Sequence, residues 1–401
     1  MLRAEQIVAA VADAAKRWTD ADFPPRVRAT QAIEQRTGYS EPVIDYALDA
    51  LFGSIDRTTL SATIAGELGA LDALDGFIVR EGRPAVTYRA IERVAIVSSD
   101  TTIGIAIPPL AFALCAKTHV TVKDRDDGLV AAFGETIVEE RPELRDAMRI
   151  EAWQGTDDAA SRSRLEDAGA VVAFGRSQTL GAIRALLRPD ARFVPFGHRT
   201  SIAYVSRKAL ADPAAAREAA RGLAVDALLY DGEGCLSVHA AFVERGGAID
   251  GAAFAALVAA ACEAAAVEFP AGYAEDDEVT AYRRGAEFRA AQGSGSVYPG
   301  RNGPHLVVLD PPGEDSPPLL RRTLALYTLD GPAEARAFLE RHAIALEGVA
   351  TDAATRADVE AFALGSGASR LAMLGTLQRP PLGGEHGGAG RILPFVRAIY
   401  R

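Results

Sequence analysis

The chain has 401 residues, 49% hydrophobic and 24% charged, which is enough to build two or three domains with an ample core. Its 54 acidic against 43 basic residues give a net charge of −11, which argues against a nucleic-acid binder while leaving room for a local basic pocket that takes phosphates. Three cysteines without histidines at metal spacing exclude a disulfide framework and a zinc site, and the absence of a signal core at the start or an apolar run of bilayer length predicts a cytoplasmic chain with no membrane partner.

Residues 4–19 predict an amphipathic helix with Ile7, Val8, Val11, Ala14 and Ala15 on one face, ended by Pro24-Pro25. Helices over about 26–36, 41–53 and 57–68 follow, the second of them opened by Ser40-Glu41-Pro42, so residues 1–80 form a helical lead-in. From about residue 85 strands and helices alternate. Short apolar strands are predicted at 94–97, 120–123, 149–153, 171–174, 192–194 and 202–205, with helices at 103–116, 129–140, 158–168 and 178–187 between them. This order implies a parallel sheet covered by helices, with ligands beyond the carboxyl ends of the strands. A helix over 212–229, a strand at 238–244, a helix at 249–266, strands at 305–309 and 324–328 and a helix at 332–342 complete the pattern, and a Gly- and Pro-rich tail covers 376–401.

The stretch Tyr230-Asp231-Gly232-Glu233-Gly234-Cys235-Leu236-Ser237 joins the 212–229 helix to the 238–244 strand. Two glycines permit a sharp turn, and a cysteine just past it can meet free N–H groups that favour an anion. A depressed thiol pKa and a nucleophilic Cys235 are therefore expected, against the plainer reading of a buried cysteine beside a loop. Cys115 and Cys262 lie in apolar and Ala-rich helices and read as core.

Four segments, in order, resemble the aldehyde dehydrogenase superfamily: Ala116–Lys123, Val172–Ser177, Phe196-Gly197-His198-Arg199 and Gly232-Glu233-Gly234-Cys235. Within it the chain is most similar to LuxC-type fatty acyl-CoA reductases, through Thr37-Gly38-Tyr39-Ser40, Glu67-Leu68-Gly69, Leu74-Asp75-Gly76-Phe77, the Phe196–Arg199 stretch and Leu377–Leu382 with His386-Gly387-Gly388. The resemblance implies an aldehyde dehydrogenase-like α/β fold. A Rossmann-type nucleotide-binding domain would occupy 81–230 and an α/β catalytic domain 231–375, with the nucleophile at their junction, after the helical segment 1–80 and before a tail, 376–401, that packs back on the fold.

It also implies NAD(P)H-dependent reduction of an acyl thioester to an aldehyde, with Cys235 carrying the acyl group. The water-activating glutamate of hydrolytic relatives falls at Pro195, which has no acid–base capacity, and leaves Glu233 as a fallback base. The relatives' oxyanion asparagine falls near Ser99-Asp100-Thr101; Thr101 or Thr102 would donate in its place, with the Cys235 backbone N–H. For the cofactor, NADPH or NADH, Lys123 would meet the adenosine ribose, Arg125 a 2′-phosphate, and Gly175, Arg176 and Ser177 at a helix start the pyrophosphate, beside Gly197. Solvated charges and an ordinary strand-to-helix turn use the same residue types. His198, His239 and His386 could each relay a proton, and Arg199 and Arg207 could meet CoA phosphates. CoA or an acyl carrier as thiol partner, an acyl-transferase partner and a homo-oligomer are further expectations. The alternatives are an acyl-phosphate reductase of the glutamate-semialdehyde type and a non-catalytic scaffold that binds nucleotide or acyl-CoA.

Overall fold

A computed structural model describes residues 2–99, 102–124, 128–153, 158–273, 276–311, 316–354 and 357–401. Two compact units divide the chain: Met1–Thr37, Ile44–His198 and Pro381–Arg401 form the first, and Gly38–Val43 with Arg199–Pro380 form the second.

The first unit opens with helices α1 (Ala4–Arg17), α2 (Pro24–Thr37), α3 (Glu41–Gly53) and α4 (Arg57–Leu68), followed by the antiparallel hairpin β1 (Ile78–Arg80) and β2 (Arg83–Ala90). Then come β3 (Arg93–Val97), α5 (Ile107–Cys115), β4 (His119–Lys123), α6 (Leu129–Glu140), β5 (Met148–Glu151), α7 (Asp158–Leu165), β6 (Ala170–Phe174), α8 (Ser177–Leu186) and β7 (Arg192–Phe196). The last five strands form one parallel sheet in the order β5-β4-β3-β6-β7. Every residue of β6 is buried, as a parallel strand covered on both faces requires. The connection out of β3 goes one way across the sheet and the return to β6 the other, so the topological switch lies between β3 and β6.

The predicted face of α1 is the one it buries: Ile7, Val8, Val11, Ala14 and Ala15 are all inaccessible, against α6 and neighbouring helices. Trp18 at the end of α1 stacks on Phe52 at 4.9 Å, meets Phe133 of α6 edge-on at 6.3 Å, and donates its indole N–H to Thr136 Oγ1 at 3.1 Å. Arg26 is buried with both terminal nitrogens bonded, NH1 to the Trp18 carbonyl and Asp49, NH2 to Asp45. The helical lead-in thus packs onto α5 and α6, the helices beside the parallel sheet, and apart from Gly38–Val43 it belongs to the same unit.

The second unit comprises β8 (Thr200–Val205), α9 (Pro213–Leu228), β9 (Val238–Glu244), α10 (Gly251–Glu268), α11 (Asp277–Ala291), β10 (Ser296–Pro299), β11 (Leu306–Asp310), β12 (Thr323–Leu329), α12 (Pro332–Arg341), β13 (Leu346–Thr351), α13 (Ala357–Gly365) and β14 (Arg370–Met373). Its sheet runs β10-β11-β12-β9-β8-β13-β14, parallel except for β10 on β11. Because β8 pairs with β9 and β13, β8 and α9 belong here, and the boundary falls at 198/199, where the sequence reading placed it at 230/231. Asp212 caps α9 by accepting the Ala214 N–H at 3.0 Å, with Pro213 in the first turn.

The final strand, β15 (Val396–Tyr400), pairs with β2 of the first unit. The tail ahead of it is pinned by Glu67 of α4, whose carboxylate accepts the backbone N–H groups of Arg391, Ile392 and Leu393 at 2.6, 3.0 and 3.0 Å. One compositional expectation is corrected. α10 has the length and apolarity of a bilayer span, with a mean hydropathy of 1.6. Its Phe254, Ala255, Val258, Cys262, Ala265 and Ala266 are buried in a core shared with α9 and β9, which accounts for the apolar composition.

Candidate active site

In the second unit the chain leaves α9 through three successive left-handed residues, Tyr230, Asp231 and Gly232, with φ of 55°, 52° and 75°. Two of them carry side chains, at a cost of order 1 kcal/mol each, so the surroundings must hold them. Arg322 does so. Its side chain is fully buried, NH1 bonds Asp231 Oδ1 at 2.8 Å, NH2 bonds the Phe269 carbonyl at 2.9 Å, and its backbone N–H donates to the Asp231 carbonyl at 3.1 Å. Burial pushes the Asp231 carboxyl up while the Arg322 bond pulls it back. A Cβ at Gly232 would come within 3.0 Å of the Arg322 nitrogen, so this glycine provides both space and φ. Gly234 does not have positive φ; it provides space, since a Cβ there would stand 3.3 Å from both Gln378 Oε1 and Ser237 Oγ.

Cys235 is half-buried at the second position of a turn closed by the Ser237 N–H on the Gly234 carbonyl at 2.9 Å, and β9 starts at Val238. Ser201 of β8 donates from Oγ to the Cys235 carbonyl at 2.9 Å. Gln378 donates from Nε2 to Ser237 Oγ at 2.8 Å and to the Asp226 carbonyl at 3.2 Å. Asp226, inaccessible near the end of α9, accepts the Gly375 and Leu377 N–H groups at 2.7 and 3.1 Å. The cysteine turn is thereby tied to α9, β8 and the segment after β14.

The thiol itself departs from the sequence expectation. Burial pushes Cys235 up to about 11, the Glu347 charge adds to this, and the Cys235 and Leu236 backbone N–H groups only partly offset it. The N–H groups do face the sulfur, as a post-turn cysteine should have them, but desolvation of the thiolate outweighs them. Cys115 and Cys262, fully buried, are pushed up further, to about 12, again by burial.

Glu233 is engaged. Arg321 holds its Oε1 through Nε at 2.8 Å and NH2 at 2.5 Å, and the Tyr39 hydroxyl donates to Oε2 at 3.2 Å. Burial raises the Tyr39 hydroxyl, and the Glu233 charge adds to it, so Tyr39 acts as a donor. Arg321 also lies 4.7 Å over the Tyr273 ring.

The register of the second sheet is interrupted twice at Ser201. Leu346 faces Thr200 and Gly348 faces Ser201, which leaves Glu347 as the extra residue of β13. Ser201 faces Val238 and Ile202 faces Ala240, which leaves His239 as the extra residue of β9. Bulges re-aim side chains, and they are common beside active sites. Sequence reasoning missed Glu347, Asp226, Ser201 and the Arg321-Arg322 pair; only Gln378 and Tyr39 fell inside segments quoted for the resemblance.

In the first unit, Lys123 ends β4, Gly175 to Ser177 link β6 to α8, and Gly197 follows β7, all at the carboxyl edge of the sheet that contains the β3/β6 switch. Arg176 precedes α8 with no side-chain cap on the helix, so its first-turn N–H groups are presented as a phosphate would need them. Lys123 Nζ lies 5.4 Å from the Trp153 ring centroid. Gly197 is exposed, and a Cβ there would meet only Leu180 Cδ1 at 3.7 Å. Thr101 and Arg125 lie outside the described residues. Pro195 sits in β7, the edge strand, where a missing N–H is tolerated. His386 stacks on Phe196 at 4.1 Å, and Phe196 on Phe174 at 4.8 Å; burial and then Arg391 push His386 down to about 4, which keeps it uncharged near neutrality. Arg207 is committed to Glu244 at 2.6 Å and to the Asp330 carbonyl at 2.7 Å.

A parallel nucleotide-type sheet with helices on both faces, and a second parallel sheet presenting a cysteine on a tight turn, define an aldehyde dehydrogenase-type oxidoreductase fold. The chain aligns over its full length with a benzaldehyde dehydrogenase from Corynebacterium glutamicum, covering 86% of that chain at 14% identity and a TM-score of 0.69. It covers 99% of itself and 84% of an oxidoreductase from Marinobacter aquaeolei (13% identity, TM-score 0.71), and 99% of itself and 85% of aldehyde dehydrogenase 21 from Physcomitrella patens (10% identity, TM-score 0.70). No curated protein matches it by sequence. Residues 1–398 match the acyl-CoA reductase (LuxC) family, and the chain belongs to that family of oxidoreductases.

Proposed function

We propose that the chain reduces an acyl thioester to an aldehyde at the expense of NADPH or NADH, with Cys235 carrying the acyl group. The observation that carries this reading is a half-buried thiol on a braced turn, faced by its own N–H and that of Leu236, in a member of the acyl-CoA reductase family. Cys235 attacks the thioester carbonyl, its backbone N–H is a donor for the oxyanion, and the CoA or carrier thiol departs. Pro195 has no group that could activate water against the acyl-enzyme.

The first unit fits a dinucleotide. The uncapped start of α8 at Gly175, Arg176 and Ser177 would take the pyrophosphate, Lys123 the adenosine ribose, and Gly197 leaves room beside them. When bound, a reduced nicotinamide supplies the hydride that the acyl carbon needs. The chain's own part is to hold the acyl group on sulfur, to neutralise the oxyanion, and to take back a proton on Cys235 as the aldehyde leaves.

Mixing the protein with a long-chain acyl-CoA and NADPH, then with NADH, and following loss of reduced-cofactor absorbance tests this. Wild type should consume cofactor and release aldehyde and free CoA in equal amounts, while Cys235→Ala should lose at least about 10³-fold in rate. Intact nucleotide binding without turnover by wild type would overturn the reading in favour of a scaffold.

A further inference from the structure

The chain carries a net charge of −11, yet arginines collect in one place in the first unit. A cavity of about 380 Å³ opens at the amino ends of β3 and β6, walled by Arg93, Arg188 and Arg397 with Gly169, Glu92 and Asp167. The three guanidinium groups come from separate parts of the fold: Arg93 opens β3, Arg188 follows α8, and Arg397 lies in β15. Gly169 keeps room there, since a Cβ on it would stand 2.7 Å from Ile91 Cγ2 and 3.9 Å from Arg188 Nη2. Arg89 and Arg192 stand beside the cavity. Arg89 faces Arg397 directly across the β2–β15 ladder, where like charges repel. Arg192 donates to the Leu393 and Val396 carbonyls at 2.7 and 2.6 Å, at the head of β15, and burial, then the Arg397 charge, hold its guanidinium below the usual range. Among the described residues neither Arg89 nor Arg397 is paired with a carboxylate. The pairs made by the other two wall arginines, Arg93 with Asp167 at 3.0 Å and Arg188 with Asp190 at 3.5 Å, have every side chain at least 47% exposed, so they exchange at little cost. The arginines here outnumber the carboxylates Glu92, Asp167 and Asp190 by two.

We propose that this cavity binds a soluble small molecule through a phosphate or diphosphate group, held by the guanidinium forks of Arg188 and Arg397 with Arg93 beside them. A planar guanidinium meets a phosphate edge with two parallel N–H donors, and the volume lies in the range of small-ligand sites. A single carboxylate would leave half of the excess charge uncompensated, whereas a phosphate dianion matches it. The site is separate from the one suited to a dinucleotide. β6 begins beside the cavity and presents Gly175 to Ser177 past its other end, five residues on and about 16 Å away. A bound phosphate would join β3, the link from α8 to β7 and β15, and so fasten the carboxy-terminal strand to the sheet. The proposal stands whether or not Cys235 is acylated.

Equilibrium dialysis of the full chain against labelled pyrophosphate at low ionic strength, with inorganic phosphate as a second probe, tests this. Wild type should bind pyrophosphate at a site from which added NADPH does not displace it. Arg397→Gln and Arg188→Gln should each weaken that binding at least about tenfold, and Arg397→Lys, which keeps the charge and loses the fork, should weaken it less. Arg221→Gln, which removes an exposed arginine of α9 in the second unit, should stay within about twofold of wild type. All three positions are exposed, and the unfolding midpoint without anion checks that each variant is folded. No binding of either probe by wild type, displacement of all of it by NADPH, or an equal loss in Arg221→Gln overturns the proposal. So does an unchanged affinity in Arg397→Gln and Arg188→Gln. Retention on vesicles of phosphatidic acid without binding of free pyrophosphate overturns the soluble ligand in favour of a lipid headgroup.

Discussion

At the amino ends of β8, β9 and β13, the groups around Cys235 are held by buried charges and amides, whereas at the carboxyl ends of β4, β6 and β7 the groups suited to a dinucleotide stand at or near the surface. The first region contains Asp226, Asp231 and Arg322, all inaccessible, with strained backbone at Tyr230 and Asp231. The second has half-buried Lys123 and exposed Arg176, Ser177 and Gly197, presented by the regular ends of parallel strands and one helix start. The covalent centre proposed at Cys235 must keep one sulfur in one place, so it would be over-determined by its surroundings. A nucleotide site needs only N–H groups and a cation facing a polyanion, which the sheet topology supplies by itself. Substitutions in the first region should therefore cost stability, and those in the second should cost affinity.

The sharpest break of that contrast is Arg322→Met. It leaves the Asp231 carboxyl buried without its partner and frees the left-handed turn, so unfolding should become easier by about 3–5 kcal/mol in urea titration. A loss below about 1 kcal/mol would mean that the turn is not held by this pair. Next comes pH. Burial raises Asp226 to about 7, against the Gly375, Leu377 and Gln378 N–H groups that lower it. The unfolded carboxyl releases its proton near about 3.9, so between these values the folded chain binds more protons. The stability from this group is then full below about pH 4 and lost as pH rises through about 7, by about 4 kcal/mol in all. Asp226→Asn should flatten that part of the stability profile between about pH 5 and 8; an identical slope in wild type and variant would contradict it. Lys123→Ala should give the smallest effect. Nucleotide affinity should weaken about tenfold, about 1.4 kcal/mol, with the unfolding midpoint unchanged. A drop in stability with unaltered affinity would reverse the contrast.

Much of this architecture was legible from local pattern. The α1 stripe, the apolar runs of β3, β4, β6, β8 and β9, and the Asp212-Pro213 helix start each carry their own periodicity or cap, and the structure has them within a few residues of expectation. Elements without such a pattern were not read. β13, with Glu347 and Gly348 inside a six-residue strand, alternates in neither period, and β10 is a four-residue strand entered from Gly293 and Gly295 and ended by Pro299, too short to carry a pattern of its own. The hairpin β1–β2 and its partner β15 are separated by about three hundred residues, and pairing over that distance leaves no local mark.

The sequence by itself determined which elements form, that the parallel strands would be covered by helices, and that one cysteine of three stands on a turn. Tertiary structure alone decided what that cysteine experiences. A thiol's pKa depends on how much water surrounds it and on charges within a few ångströms, and the nearby carboxylate, Glu347, comes from a strand more than a hundred residues away. It likewise decided that Glu233, two residues from the sulfur, is bound to Arg321, and that β8 joins the second sheet rather than the first.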